Sequence, residues 1–252
     1  MLRAKGFINL SSGSLGETTF MKINGKYTAR EKVAISKDRI KLHPSYEMLR
    51  QNYNDFATCS VAGKTLRNAV STLSKFAKDS EMVRRVQKQM GKVVRKTTTN
   101  SNGTYAVATG DITLFRGFNF NNKARLRATM NARYLAKIHR DTGELTIDIP
   151  SFMPVNAIKA PEGTTHFKIV SIGASVDFST QRHNMNQQKY QSPMIPFDGT
   201  ATTSLNILHQ LPPDSPDTLV IILGLQFYKA AGEFVEPVKS YAANPLCIVE
   251  IE

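Results

Sequence analysis

In Thr218-Leu219-Val220-Ile221-Ile222-Leu223-Gly224-Leu225-Gln226-Phe227-Tyr228-Lys229, the four residues Val220 to Leu223 are apolar without alternation. A strand with one wet face alternates apolar and polar residues. An unbroken run of branched aliphatics instead suits a strand buried on both faces. The turn cluster Leu211-Pro212-Pro213-Asp214-Ser215-Pro216-Asp217 precedes it. Further strands are expected at residues 165–178, 202–209 and 245–252. Ala136 and Ile138 are expected to face Leu145, Ile147 and Ile149 across the turn Arg140-Asp141-Thr142-Gly143. Strands divided by turns, with no helical pattern between them, predict an antiparallel β-sandwich of jelly-roll or immunoglobulin-like order for residues 104–252.

The middle of the chain carries the helical period instead. Leu66, Ala69, Val70, Leu73 and Phe76 recur at spacings of three and four, which predicts a helix near residues 58–78. A shorter one, capped by Ser45, is expected through Asn54, with Tyr46, Leu49 and Tyr53 on one face. Asp79 or Ser80 is expected to cap a third, whose stripe is Met82, Val83, Val86, Met90, Val93 and Val94. Its opposite face holds Arg84, Arg85, Lys88, Lys92, Arg95 and Lys96. The polar run Thr97 to Gly103 reads as the linker that closes this helical region of residues 44–103.

Residues 1–43 read as a hairpin followed by an extended basic arm. Asn24-Gly25 supplies the two positive-φ positions of a type I′ turn, and Phe20, Ile23 and Tyr27 flank it as strand formers. A lone hairpin of this size is marginal in water, so it has to lie on something else, either its own chain or a neighbouring copy. Residues 33–43, basic and free of turn signals, are expected to be extended. The fold class is therefore α+β: hairpin and arm, helical middle, β-sandwich.

Of 252 residues, 41% are apolar, enough for a core, and the net charge is +13. Residues 1–140 hold 27 Lys/Arg against 8 Asp/Glu, a net of +19, whereas residues 141–252 hold 6 against 12, a net of −6. Such asymmetry suits a polyanion partner for the first half, head-to-tail packing of copies, or both. The basic helix face and the stretch Lys123-Ala124-Arg125-Leu126-Arg127 serve equally well as phosphate contacts, as partners of a neighbour's acidic groups, or as solvated surface.

Signatures of catalysis are scarce. Ala62-Gly63-Lys64-Thr65 holds the Gly-Lys-Thr core of a phosphate-binding loop, but Thr58 stands where its first Gly belongs. Gly63 is expected to be a close-packing point. His43, His139, His166, His183 and His209 have no metal-ligand spacing, and Cys59 and Cys247 read as buried free thiols on a helix and a strand. The amide-rich run Gln181 to Lys189 reads as a solvated strand connection. No run of about 20 apolar residues suits a membrane span. The first residues lack a signal-peptide apolar region, so synthesis and use inside a cell are expected.

One ordered set of short elements stands out in the first half. It comprises Ala4-Lys5-Gly6, Gly13 through Gly16, Thr19-Phe20, Gly25-Lys26-Tyr27, Ala29-Arg30-Glu31-Lys32 and Ser36-Lys37-Asp38-Arg39-Ile40-Lys41. It continues through Arg50-Gln51-Asn52, Lys64-Thr65-Leu66-Arg67 and Phe118-Asn119-Phe120-Asn121. The set resembles a family of uncharacterised proteins from Bacteroidota and their phages, which begins with a Gly-rich hairpin and basic arm. The resemblance implies helices next and a β-rich C-terminal part, and it assigns no catalytic residue.

These readings together predict a structural, self-assembling virion component of a phage or phage-like particle. A capsid protein comes first, a tail or connector part next. Its expected partners are many further copies and genomic nucleic acid, with no enzymatic activity, cofactor, metal or small-molecule substrate. Phe20, Ile23, Asn24, Gly25 and Tyr27 are the expected inter-subunit arm contacts. The alternative is a sequence-nonspecific nucleic-acid-binding protein that forms no shell.

Overall fold

The computed structural model describes residues 13–23, 25–31, 35–77, 79–95, 110–178, 187–232, 234–238 and 243–252. Two compact units divide the chain between Asn52 and Tyr53. The first holds a three-stranded antiparallel sheet in the order β1 (Gly13–Leu15), β2 (Thr18–Ile23), β3 (Lys26–Glu31). The pair Ile23 and Lys26 closes a two-residue loop, and Gly25 has φ 83° there, the left-handed value that such a turn demands. Gly16-Glu17 makes an equally tight turn between β1 and β2, which the sequence reading passed over.

Residues 33–43 are not extended throughout. Lys37–Leu42 forms a short helix, α1, whose N-cap Ser36 accepts a hydrogen bond from the Arg39 N–H. A 3₁₀ turn at Pro44–Tyr46 then leads into α2 (Glu47–Ala69). The cap here is His43, whose Nδ1 accepts from the Ser45 N–H, rather than Ser45 itself. Proline fits the first position of a helix, so the capping role falls on the residue before Pro44. The two helices expected near residues 45–54 and 58–78 are one, since residues 54–58 contain no breaker. It stops at Val70, and the single turn α3 (Ser71–Ser74) follows.

The second unit is built in three layers. The helix α4 (Met82–Arg95) buries Val86, Met90, Val93 and Val94, while Val83 of the expected stripe is half exposed. The strands are β4 (Leu135–His139), β5 (Glu144–Ile149), β6 (His166–Val176), β7 (Gln187–Gln191), β8 (Ile195–Pro196), β9 (Leu205–Gln210), β10 (Thr218–Ala231), β11 (Phe234–Pro237) and β12 (Leu246–Ile251). They make two antiparallel sheets. One runs β11-β10-β6-β7, with β12 also on β10 and β8 also on β6; the other runs β4-β5-β9.

The apolar run of β10 explains the layering. Val220 and Ile222 join a core with Leu66, Val86 and Met90 of the helices. Leu219, Ile221 and Leu223 join a second core with Leu145, Ile147 and Ile207 of the β4-β5-β9 sheet. Each fully buried side chain of this kind contributes about 1.5–3 kcal/mol. β12 meets the same demand with a bulge: the register shifts so that Val249 has no partner on β10. Ile248 and Ile251, of opposite parity, thereby reach the same helix-facing core. Ala136 pairs with Ile147 and Ile138 with Leu145, as their spacing predicted. At the turn between them Gly143 has φ 73°, and a β-carbon there would lie 2.2 Å from the Leu211 carbonyl oxygen, so only glycine fits.

Candidate interaction surfaces

Strand alternation sorts the arm residues onto two faces. The registers place Leu15, Phe20, Lys22 and Tyr27 on one face of the β1-β2-β3 sheet and Met21, Ile23 and Lys26 on the other. Of the predicted contacts, Phe20 and Tyr27 therefore share one face and Ile23 lies on the other; Asn24 lies outside the described residues. Leu15 is 63% exposed and Tyr27 58%, and the Lys22 ammonium sits over the Tyr27 ring at 5.1 Å. None of the described residues among 13–52 is buried.

On α4 the expected basic face divides. Arg84, Lys88, Lys92 and Arg95 are exposed and, at spacings of four, four and three, form one stripe. Arg84 shares its charge with Glu81 at 2.7 Å. Gly91 lies within the same stretch, and a β-carbon on it would meet no atom within 4 Å. Lys96 lies outside the described residues. Arg85 leaves the set: its guanidinium pairs with Asp79 and donates to the Asn119 and Phe120 carbonyls, the latter at 2.8 Å. It also lies 5.3 Å from the centroid of the Phe118 ring. The physical reason is position. Residue 85 borders the buried Val86, so its side chain reaches around the helix to the neighbouring loop rather than outward.

Asp79 is the other half of this clamp and is only 5% exposed. Burial pushes its carboxyl up. Hydrogen bonds from the Asn122 and Glu81 N–H groups and the Arg85 guanidinium outweigh that and hold it below the usual carboxylate range. The clamp fixes the start of the segment that carries Lys123 and Arg125 and runs into a helical turn, Leu126–Thr129, that carries Arg127. These three are exposed, whereas Ala124 and Leu126 between them are buried. The Asn119 side chain accepts from the Leu126 N–H at 2.8 Å and holds that alternation in place. A second amide, Asn244, is buried between the helices and the sheet. It donates to the Phe76 carbonyl at 2.7 Å and accepts from the Phe227 N–H at 3.1 Å. Sequence reading missed both amides, although Asn119 belongs to one of the short elements singled out above.

Other motifs resolve into structure. Gly63-Lys64-Thr65 lies inside α2, not in a loop after a strand. A β-carbon on Gly63 would stand 3.3 Å from Val86, so the glycine is a packing point between α2 and α4. Cys59 and Cys247 are buried free thiols; burial raises both, Asp55 adds to the rise at Cys59, and Cys247 is pushed up to about 12. Gln187, Gln188 and Lys189 belong to β7, where the Gln188 side chain accepts from the Gln210 N–H; residues 181–186 lie outside the described set. Among the described residues no cluster of His, Cys, Asp or Glu could hold a metal ion. No described helix is long and apolar enough to cross a membrane.

Two further features were not legible in advance. His209 and Ser171 share a hydrogen bond of 2.8 Å and are 1% and 0% exposed, so the pair is sealed between the two sheets. A mostly apolar pocket of about 310 Å³ opens beside β8. Its floor is Ile169 and Ser192, its walls include Phe152, Ile195 and Leu205, and Asp198 stands at its edge. The pocket loop is pinned by Thr202, whose N–H donates to the Phe152 carbonyl at 2.9 Å and whose hydroxyl accepts from the Phe152 N–H at 3.1 Å. No protein-family model, curated protein or solved structure matches this chain.

Proposed function

We propose that the chain is a structural, self-assembling component of a phage or phage-like particle, most simply a capsid protein whose N-terminal arm lies on a neighbouring copy. The observation that carries this reading is the first unit's lack of any buried residue among those described, despite its sheet and helices. A three-stranded sheet whose side chains are at most partly buried gains too little to offset its ordering entropy. A surface on another molecule supplies what it lacks. The second unit, with apolar cores on both faces of one sheet, is by contrast a self-sufficient building block. Net charges of +19 on residues 1–140 and −6 on residues 141–252 favour contacts between unlike surfaces of successive copies, the kind that closes into rings or shells.

A second reading rests on α4. The exposed stripe of Arg84, Lys88, Lys92 and Arg95 supports sequence-independent contact with a nucleic-acid backbone, in a particle or without one. Light scattering of the purified protein at low and high salt, combined with the 260/280 nm absorbance ratio before and after nuclease, tests both. Large particles support the shell reading, and nuclease-sensitive absorbance adds nucleic acid to it. A monomer at every salt and concentration refutes the shell and leaves the nucleic-acid-binding module.

A further inference from the structure

The apolar pocket beside β8 and the aromatic face of the N-terminal sheet are complementary in chemistry: an apolar cavity edged by Asp198 and an exposed ring beside Lys22. We infer that Tyr27 of one copy seats in the pocket walled by Phe152, Ile195 and Leu205 of a second copy, with Lys22 meeting Asp198. The inference rests on the assembly reading above and names the contact that would carry it.

The argument begins with the pocket. A concavity of about 310 Å³, with buried Ile169 beneath it and carbon-rich walls, is suited to an apolar or aromatic anchor. Its edge carries the carboxylate of Asp198, fixed by a hydrogen bond from the Thr200 N–H to Oδ1 at 2.8 Å. The fitting guest is therefore an aromatic side chain that brings a cation with it.

Two exposed aromatic side chains at hairpins compete for that description. Phe234, on β11, is 76% exposed, but the residue directly across from it is Ala231, and the one cation on its face, Lys229, stands opposite Glu236, which offsets its charge. Tyr27 is 58% exposed and has Lys22 directly across the register, its ammonium 5.1 Å from the ring centroid. Seating the ring carries Lys22 to the pocket edge, where opposite charges set register and exclude wrong partners. Phe20 and Leu15 share the face and extend the apolar contact around the anchor. A buried aromatic ringed by weaker contacts is the usual composition of an interface hot spot.

The test uses the full chain. Tyr27→Ala, and separately Ala201→Trp to fill the pocket, are each expected to weaken self-association about thirtyfold or more, measured by sedimentation over a concentration series. Lys22→Glu and Asp198→Lys alone are each expected to weaken it, and together to restore it. Because all four positions are exposed, circular dichroism should show each variant folded. A Tyr27→Cys, Thr203→Cys pair gives the sharper readout, since both native thiols are buried. Oxidation that links different chains supports the inference. A link within one chain, or none, overturns it. If the wild type assembles while none of these variants changes anything, the docking inference fails and the assembly reading stands; a wild type that is always monomeric removes both.

Discussion

Acidification from pH 7.5 to pH 4 should destabilise this protein in a window set by one buried histidine. His209 is 1% exposed between the two sheets, and burial lowers its pKa from 6.5 to about 4. Its ring is held by the Ser171 hydroxyl and pressed against Gly173. In the unfolded chain the same imidazole takes a proton near pH 6.5. Between pH 6.5 and 4 the unfolded state thus binds a proton that the folded state refuses, and stability falls as pH falls. The slope approaches 1.4 kcal/mol per pH unit and the total is about 3 kcal/mol, levelling off below pH 4. Asp79, held below the ordinary carboxylate range, contributes stability that is lost only as pH drops through its own lower value, beneath this window. Urea unfolding at half-unit pH intervals measures the slope. The control is His209→Phe with Ser171→Ala, which removes both polar partners and leaves no orphaned group. That double variant should lose the slope between pH 6.5 and 4. An equal slope in wild type and variant would refute the assignment to His209, and a flat wild-type profile would refute the buried neutral state itself.

Three other perturbations separate structural from surface roles. Arg85→Met should cost about 2 kcal/mol, because Asp79 loses its cation but keeps two backbone hydrogen bonds, whereas Lys92→Ala should change stability by less than about 0.5 kcal/mol. Equal effects in chemical denaturation would contradict the division of the α4 cations. Gly173→Ala should destabilise by about 1–3 kcal/mol, since its β-carbon would fall 2.5 Å from that of His209; an unchanged urea midpoint would show that the sheets can part to admit it. Gly91→Ala should stabilise by about 1 kcal/mol through helix propensity alone, read as a rise in thermal midpoint, because nothing lies within 4 Å of the new methyl.

Much of the fold could be read locally. The unalternating run at Val220–Leu223 announced a strand buried on both faces, and its residues do enter both cores. The period of Val86, Met90 and Val93 announced α4, and Asn24-Gly25 announced the β2-β3 turn. Where reading failed, the local signal was weak or shared. Lys37–Leu42 carries no apolar face, so its helix rests on the Ser36 cap and on Arg50, which donates to the Ile40 and His43 carbonyls. The β7 strand reads Gln187-Gln188-Lys189, which is loop-like in composition. The candidate sites were less legible: sequence put Arg84 and Arg85 on one face and did not single out the pocket at all.

The sequence by itself determined element type wherever backbone geometry imposes a short period: two residues along a strand, three to four around a helix, and a positive φ at a tight turn. Only the tertiary structure decided which of two adjacent arginines faces solvent, since the carbonyls that capture Arg85 lie 34 and 35 residues away. It likewise brought Ser171 to His209 across 38 residues, and joined Phe152 to the loop at Thr202 across 50. Such pairs are fixed by strand register, by a bulge such as that at Val249 and by the packing of whole layers. A local pattern specifies that a face is buried but not which distant face covers it, and that choice places the site.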